Sequence, residues 1–232
     1  MLLLLLPLLA LSALSAPLLQ KRVTGIPGLD VSSYQGAVDW ATVAANGAKF
    51  AFIKATEGTD YVNPDFSQQY EGSYDAGLIR GAYHFAHPDS STGAAQANYF
   101  LANGGGWSAD GKTLPGMLDI EYNPSGATCY GLSTSAMVSW LSSFSSTYEA
   151  ATGRYPIIYT TTDWWSTCTG GSSAFAANSP LFVAAYNTEG PGTLPAGWSY
   201  YSFWQWADSG TFPGDQDVWN GSQAGLEAMA TG

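Results

Sequence analysis

Eight short apolar runs constrain this chain more than any other feature: residues 28–32, 49–56, 78–86, 116–121, 155–161, 180–186, 201–207 and 217–221. Several, such as KFAFIKAT and PLFVAAY, are apolar on both faces. That is the pattern of parallel strands covered by helices on each side. The first five runs are separated by stretches with helical signals. Residues 38–46 stop at Gly47, and Asn63-Pro64 opens a stretch with Phe66, Tyr70 and Tyr74 spaced by four before Gly77. Residues 93–102 follow. Then 133–152 carries Met137, Trp140, Leu141, Phe144 and Tyr148 at helical spacing, with Ser133 suited to the N-cap and Gly153 to the stop. The last three runs are joined by Gly/Pro-rich loops with little room for helices. Alternating β and α units predict a parallel sheet with right-handed crossovers. Eight strands with helices concentrated in the first part predict an α/β fold, a TIM-like barrel with helices missing after the last strands. An open α/β sheet is the alternative.

The chain opens MLLLLLPLLALSALSA, an apolar run broken by Pro7 and ending in small residues. A membrane-spanning helix needs about 20 apolar residues, so residues 1–16 read as a signal peptide cleaved near Ala16. Residues 17–22 read as a short pro-segment ending at the dibasic pair Lys21-Arg22, which leaves 23–232 as one domain without linker, repeat or low-complexity tract. Lys and Arg number 7 against 18 Asp and Glu, for a net charge of −11, and loss of Lys21 and Arg22 makes the mature chain more acidic still. Such a surface repels nucleic acid and anionic lipid, so neither is expected as a partner, and a secreted monomer is expected. In an exported protein, the two cysteines, Cys129 and Cys168, read as one disulfide. A catalytic thiol lacks a neighbouring histidine, and zinc lacks ligands beyond His84 and His87, so no metal or cofactor is expected. Asn220-Gly221-Ser222 is a glycosylation sequon.

The run GMLDIEYNP carries two acids, Asp119 and Glu121. Side chains two apart on a strand share a face, with Cα atoms about 6.6 Å apart. Two ionised carboxylates so placed are costly unless they are used. In barrels of this kind, catalytic groups lie at the C-terminal ends of strands. Asp30 near the end of the first strand and Asp215 just before the last join the pair there, with Glu57 a further candidate. Paired carboxylates cleave glycosidic bonds when their environments split their pKa values. Glu121, longer and nearer the mouth, is the expected general acid, with ionised Asp119 keeping it protonated by repulsion. Tyr34, Tyr61, Tyr83, Tyr159, Trp164, Trp165, Tyr186, Trp204 and Trp206 lie near strand ends, where aromatic rings stack on sugar faces. Of these, Trp164, Trp165 and Tyr186 are the strongest binding candidates, while Trp140, Phe52 and Phe203 read as core. Lys54 interrupts an apolar strand and either answers the acids or snorkels outward. His84 and His87 read as core or loop histidines.

GLDVSSYQG (28–36), KATEG (54–58), GAYHFA (81–86), LDIE (118–121), YPIIYT (155–160), FWQW (203–206) and DQDVWNGS (215–222) occur in order. Together they resemble glycoside hydrolase family 25, the N-acetylmuramidases or lysozymes that cut peptidoglycan, and the leader resembles those of secreted fungal members. The resemblance implies a flattened (β/α)5(β)3 barrel and retaining hydrolysis of the β-1,4 bond between N-acetylmuramic acid and N-acetylglucosamine. It makes Glu121 the acid/base and Asp119 the acid that orients the substrate's acetamido group. Asp30 matches the first-strand acid and Asp215 the acid opening the last motif, where Asp217 stands in place of the family's frequent Asn. Lys54, Tyr83, Tyr159, Tyr186 and Trp206 fall at expected substrate contacts. A chitinase-like hydrolase lacks its upstream acids here, and a silent sugar-binding protein would not need the carboxylate cluster. Because bacterial walls are anionic, the acidic chain is expected to work best at acidic pH.

Overall fold

The computed structural model describes residues 23–232; the signal peptide and pro-segment expected at 1–22 lie outside the described residues. Nine strands form one sheet: β1 (Ile26–Val31), β2 (Phe50–Glu57), β3 (Tyr61–Val62), β4 (Ile79–Phe85), β5 (Met117–Asp119), β6 (Ile157–Thr160), β7 (Leu181–Ala184), β8 (Phe203–Ala207) and β9 (Asp215–Trp219). Their order is β1-β9-β8-β7-β6-β5-β4-β2-β3, with β1 also paired to β2, so eight strands close into a barrel and β3 hangs as a hairpin on the end of β2. The expected barrel is therefore the observed one.

One strand departs from the expected parallel sheet. β9 runs antiparallel to both β8 and β1, whereas the other ring pairings are parallel. The connection 208–214 explains this, since a parallel crossover needs a dozen or more residues. The reversal matters for the site. In a parallel strand Asp215, as first residue, would point toward the bottom of the barrel; reversed, it stands at the mouth.

The helices are α1 (Trp40–Ala45), α2 (Phe66–Asp75), α3 (Gly93–Ala102), α4 (Thr134–Thr152), α5 (Thr162–Thr169) and α6 (Gln223–Thr231). α4 is capped as its sequence indicates: the Ser133 side chain accepts from the Ala136 amide, and Gly153 ends it at φ 72. Its stripe of Met137, Trp140, Leu141, Phe144 and Tyr148 is buried in the layer outside the barrel. α5 and α6 are additions to the expected set. α5 starts at the Thr161 cap, whose side chain accepts from the Trp164 amide, and ends at Gly170. Its sequence is rich in Thr and Trp, poor signals for a helix. α6 brings Leu226 and Ala230 against the residues that fill the barrel. No helix among the described residues is long and apolar enough to cross a membrane.

Inside the barrel, Phe50, Phe52, Phe182 and Phe203 are fully buried. Phe203 is their hub, with ring centroids 5.2 Å from Phe50, 5.3 Å from Phe52 and 5.4 Å from Phe182. Each such pair adds about 0.5–1.5 kcal/mol beyond its burial. At the level of these rings, the inward positions on β1 and β4 are glycines because the rings occupy the space. A Cβ on Gly28 would lie 2.5 Å from the Phe50 ring, and one on Gly81 2.5 Å from that of Phe52. This aromatic plug is the floor on which the polar residues of the mouth rest.

Candidate active site

Two residues further along the strands, at the next inward position, the side chains turn polar. Asp30 (β1), Lys54 (β2), Asp119 (β5), Tyr159 (β6), Gln205 (β8) and Asp215 (β9) line a cavity of about 260 Å³, with Tyr83 in its wall and Glu121 just past the end of β5. The four acids expected to meet do meet. Asp217 lies one inward position below Asp215, opposite Gln205 and Gly28 in the strand registers, and is 1% exposed. So Asp215 faces the cavity, and Asp217 is sealed beneath it.

A carboxylate above a floor of phenylalanine rings loses hydration and resists ionisation. Burial is the largest cause in every case. It lifts Asp30 well above the usual range, with Asp215 adding repulsion and a hydrogen bond from Gln205 opposing it. It lifts Asp119, with Glu121 next. Glu121 is raised to about 7, first by burial and then by the charge of Asp215, while Lys54 pulls it down. Asp215 and Asp217 are raised too, the latter well above the usual range by burial, Asp30 and Asp215. Desolvation thus does most of the work of keeping Glu121 protonated, with the charge of Asp215 next, while the repulsion between Asp119 and Glu121 raises Asp119.

Lys54 is paired with Glu57, whose other oxygen takes the His87 ring nitrogen at 2.8 Å. Glu57 therefore sits in a side basin rather than among the acids. His84 is a core histidine: fully buried, with Nδ1 2.8 Å from the Thr56 hydroxyl and Nε2 2.9 Å from the Gln96 amide oxygen, and burial lowers it to about 4. Tyr83 and Tyr159 line the cavity, and Tyr186, 57% exposed, stands on the rim.

Three tryptophans are elsewhere. Trp164 and Trp165 are fully buried on α5, where their indole N–H groups donate to the carbonyls of Thr128 and Ser172. They pack the core rather than bind ligand. Trp206 lines a separate groove with Val23, Phe212 and Val218. Alternation on β8 turns Phe203 and Gln205 inward and Trp204 and Trp206 outward, and Trp206 is the extra residue of a bulge between Gln205 and Ala207 in the β8–β9 register. Gln205 is the residue that sequence reasoning missed; its signal was a single amide inside FWQW, with aromatic residues on the other face.

The cavity continues on both sides. A basin of about 370 Å³ shares Ser32, Tyr34 and Lys54 with it and runs to Glu57, Asp60, Tyr61 and His87. Another of about 340 Å³ shares Glu121 and Tyr159 and runs to Thr161, Ala185 and Tyr186. The mouth of the barrel is therefore crossed by a cleft with the carboxylates at its middle. The family model for glycosyl hydrolases family 25 matches residues 29–215, which takes in the whole of this cleft.

The chain belongs to glycosyl hydrolase family 25.

Its relatives agree. It is 52% identical over 210 residues to an N,O-diacetylmuramidase of Chalaropsis sp, covering 89% of this chain and 100% of that one. It is 51% identical to lysozyme M1 of Streptomyces globisporus, covering 89% and 72% of the two chains. A family 25 lysozyme from Aspergillus fumigatus has a structure that superposes with a TM-score of 0.89 at 51% identity, over 90% of this chain and 100% of that one. This family 25 hydrolase is thus a glycoside hydrolase of the lysozyme type, and its α/β barrel is the family's.

The carboxyl cluster makes a pH dependence testable in this family 25 enzyme. Glu121, raised to about 7, is protonated below that pH, so a kcat/KM that needs its proton is expected to fall tenfold per pH unit above about 7. Stability follows the same sign. Acids raised by folding bind more protons in the native state than in the unfolded chain, so the slope of unfolding free energy with pH is negative between the two pKa values. Their stabilisation is complete below the unfolded carboxylate range and is lost as pH rises through the folded values. Buried neutral His84 acts in the opposite sense below its ordinary value, but one histidine stands against five raised acids, so thermal melting is expected to be higher at pH 5 than at pH 8; a His84→Asn variant whose melting temperature still rises over that interval contradicts the cluster.

Proposed function

We propose that this hydrolase is secreted, acts as a monomer, and cuts the β-1,4 bond between N-acetylmuramic acid and N-acetylglucosamine in bacterial peptidoglycan with retention. Glu121, neutral at working pH, protonates the glycosidic oxygen as the bond to the anomeric carbon breaks. The acetamido oxygen of the same sugar attacks that carbon and forms a cyclic oxazolinium, whose positive charge develops against the carboxyl cluster and favours its ionised form. Glu121, now a base, takes a proton from water as the water opens the ring, and net retention results.

The observation that carries this reading is Asp119. It lines the cavity at 7% exposure, and its Oδ1 accepts no hydrogen bond among the described residues. The carboxyl that borders the cavity beside the acid suits the acetamido N–H of a bound sugar. Because Glu121 borders both the central cavity and the Tyr186 basin, the leaving sugar is assigned to the Tyr186 side and the reacting sugar to the acids. Lys54, Tyr83 and Tyr159 contact the reacting sugar in this arrangement, and Tyr186 the leaving one. Asn220, exposed on the turn after β9, is available to carry a glycan.

Mass spectrometry of fragments released from purified peptidoglycan tests the assignment. Reducing-end N-acetylmuramic acid is expected, with no turnover of chitin. Reducing-end N-acetylglucosamine, or chitin cleaved as fast, overturns it. A covalent adduct trapped on Asp119 would replace acetamido assistance by direct attack.

A further inference from the structure

Gln205 makes every hydrogen bond that its amide allows. It is 2% exposed. Its Nε2 donates to Asp30 Oδ2 at 2.7 Å and to Asp215 Oδ2 at 3.0 Å. Its Oε1 accepts from the Tyr159 hydroxyl at 2.7 Å and the Tyr186 hydroxyl at 3.0 Å. The amide orientation is thereby fixed: reversed, it would point a carbonyl at two carboxylates and an NH₂ at two hydroxyls whose own protons would be left without acceptors.

We propose that Gln205 is a positioning residue for catalysis, holding Asp30 and Asp215 as paired hydrogen-bond acceptors and tying them through Tyr186 to the rim of the cleft. The proposal rests on the reading of Asp30, Asp215 and Glu121 given above. Asp30 and Asp215 are register partners on β1 and β9, so their carboxyls converge and, without a donor between them, would share a proton. Gln205 supplies one N–H to each. Both oxygens then have fixed directions, and on Asp30 the donor opposes the rise that burial and Asp215 impose. This maintains the negative charge that faces Glu121 and the oxocarbenium-like carbon. The hydrogen bond from Gln205 favours ionised Asp30, and ionised Asp215 favours protonated Glu121. The amide thus acts on the acid/base without touching it.

The groups facing this amide are Asp30 from β1, Asp215 and the deeper Asp217 from β9, Tyr159 from β6 and Tyr186 after β7. Across the cavity stand Glu121, Asp119, Lys54 and Tyr83. No cation among them contacts Asp30 or Asp215, because Lys54 is paired with Glu57.

The test is the pH profile of two variants, with activity expressed per folded molecule from thermal melting. In Gln205→Glu the shape is kept, but the new carboxyl has a single O–H, so it serves one of the two acids while protonated and neither once ionised. A loss of no more than about tenfold in kcat is expected at pH 5, with at least a further tenfold loss by pH 7. The alkaline limb should move at least one pH unit toward acid, and KM should change less than about threefold. Gln205→Asn keeps the donors but withdraws them by one methylene, so a loss of at least about tenfold in kcat at every pH is expected. A role confined to packing would lower the melting temperature in both and leave the limbs in place. Wild-type kcat and unshifted limbs in folded Gln205→Glu overturn the proposal; if that variant does not fold, wild-type kcat in Gln205→Asn does so. An active Glu121→Gln enzyme would instead overturn the acid/base reading on which the proposal rests.

Discussion

Glu121→Gln is expected to lower kcat on peptidoglycan by roughly 10²–10⁴-fold, the range of a general acid, with KM changed by no more than about threefold. The amide occupies the space of the carboxyl but has no proton to give to the glycosidic oxygen. Stability separates loss of chemistry from loss of fold. Glu121 is mostly neutral below about pH 7, so replacing it with a neutral isostere should leave the melting temperature unchanged at pH 5. At pH 8 the variant should melt higher than wild type, because it no longer carries a charge that burial and Asp215 oppose. Retention of more than a tenth of wild-type turnover would remove Glu121 from the role of acid. A lower melting temperature at pH 8 would contradict the environment that makes it one.

The second large effect is on stability. Cys129 and Cys168 are bonded, at a separation of 39 residues, and tie the loop after β5 to α5. Closing a loop of that length in the unfolded chain is worth about 4 kcal/mol in the chain-entropy account. For a domain of this size that corresponds to roughly 8–16 °C in melting temperature. The Cys129→Ser/Cys168→Ser double variant is expected to show a drop of that order. The same loop carries Glu121 near its start and includes Tyr130, a non-glycine residue held at φ 57 next to the bond, a conformation disfavoured by Cβ contacts. Freed of the tether, this segment should also be cut first by proteases. A shift of less than about 3 °C would mean that the loop is held by its other contacts, such as the Tyr122 hydroxyl on Asp163 at 2.8 Å.

Much of the barrel was legible in order along the chain. Strands that are apolar on both faces and helices with a buried stripe are periodic features, and periodicity is carried by neighbouring residues. The stripe of α4 and its Ser133 and Gly153 boundaries follow from that alone. The direction of β9 was also legible in principle, since 208–214 is too short for a crossover; expecting a uniformly parallel sheet obscured it. The indoles of Trp164 and Trp165 were misread because a helix was not expected at 162–169. On a strand end they would have reached the cleft, whereas on α5 they face the core.

By itself, the sequence determined the run of strands and helices, the acids and their order, and the Asp-x-Glu pair at the end of a strand. These depend on which residue follows which. What the tertiary structure alone decided is which acids are desolvated and what holds them. Glu121 is raised to about 7 because the closed barrel buries it and a reversed strand brings Asp215 to the same mouth. Gln205 bonds Asp30 across a separation of 175 residues, and no local pattern encodes that meeting. Burial and electrostatic coupling are properties of what packs around a group, so they exist only once the barrel has closed.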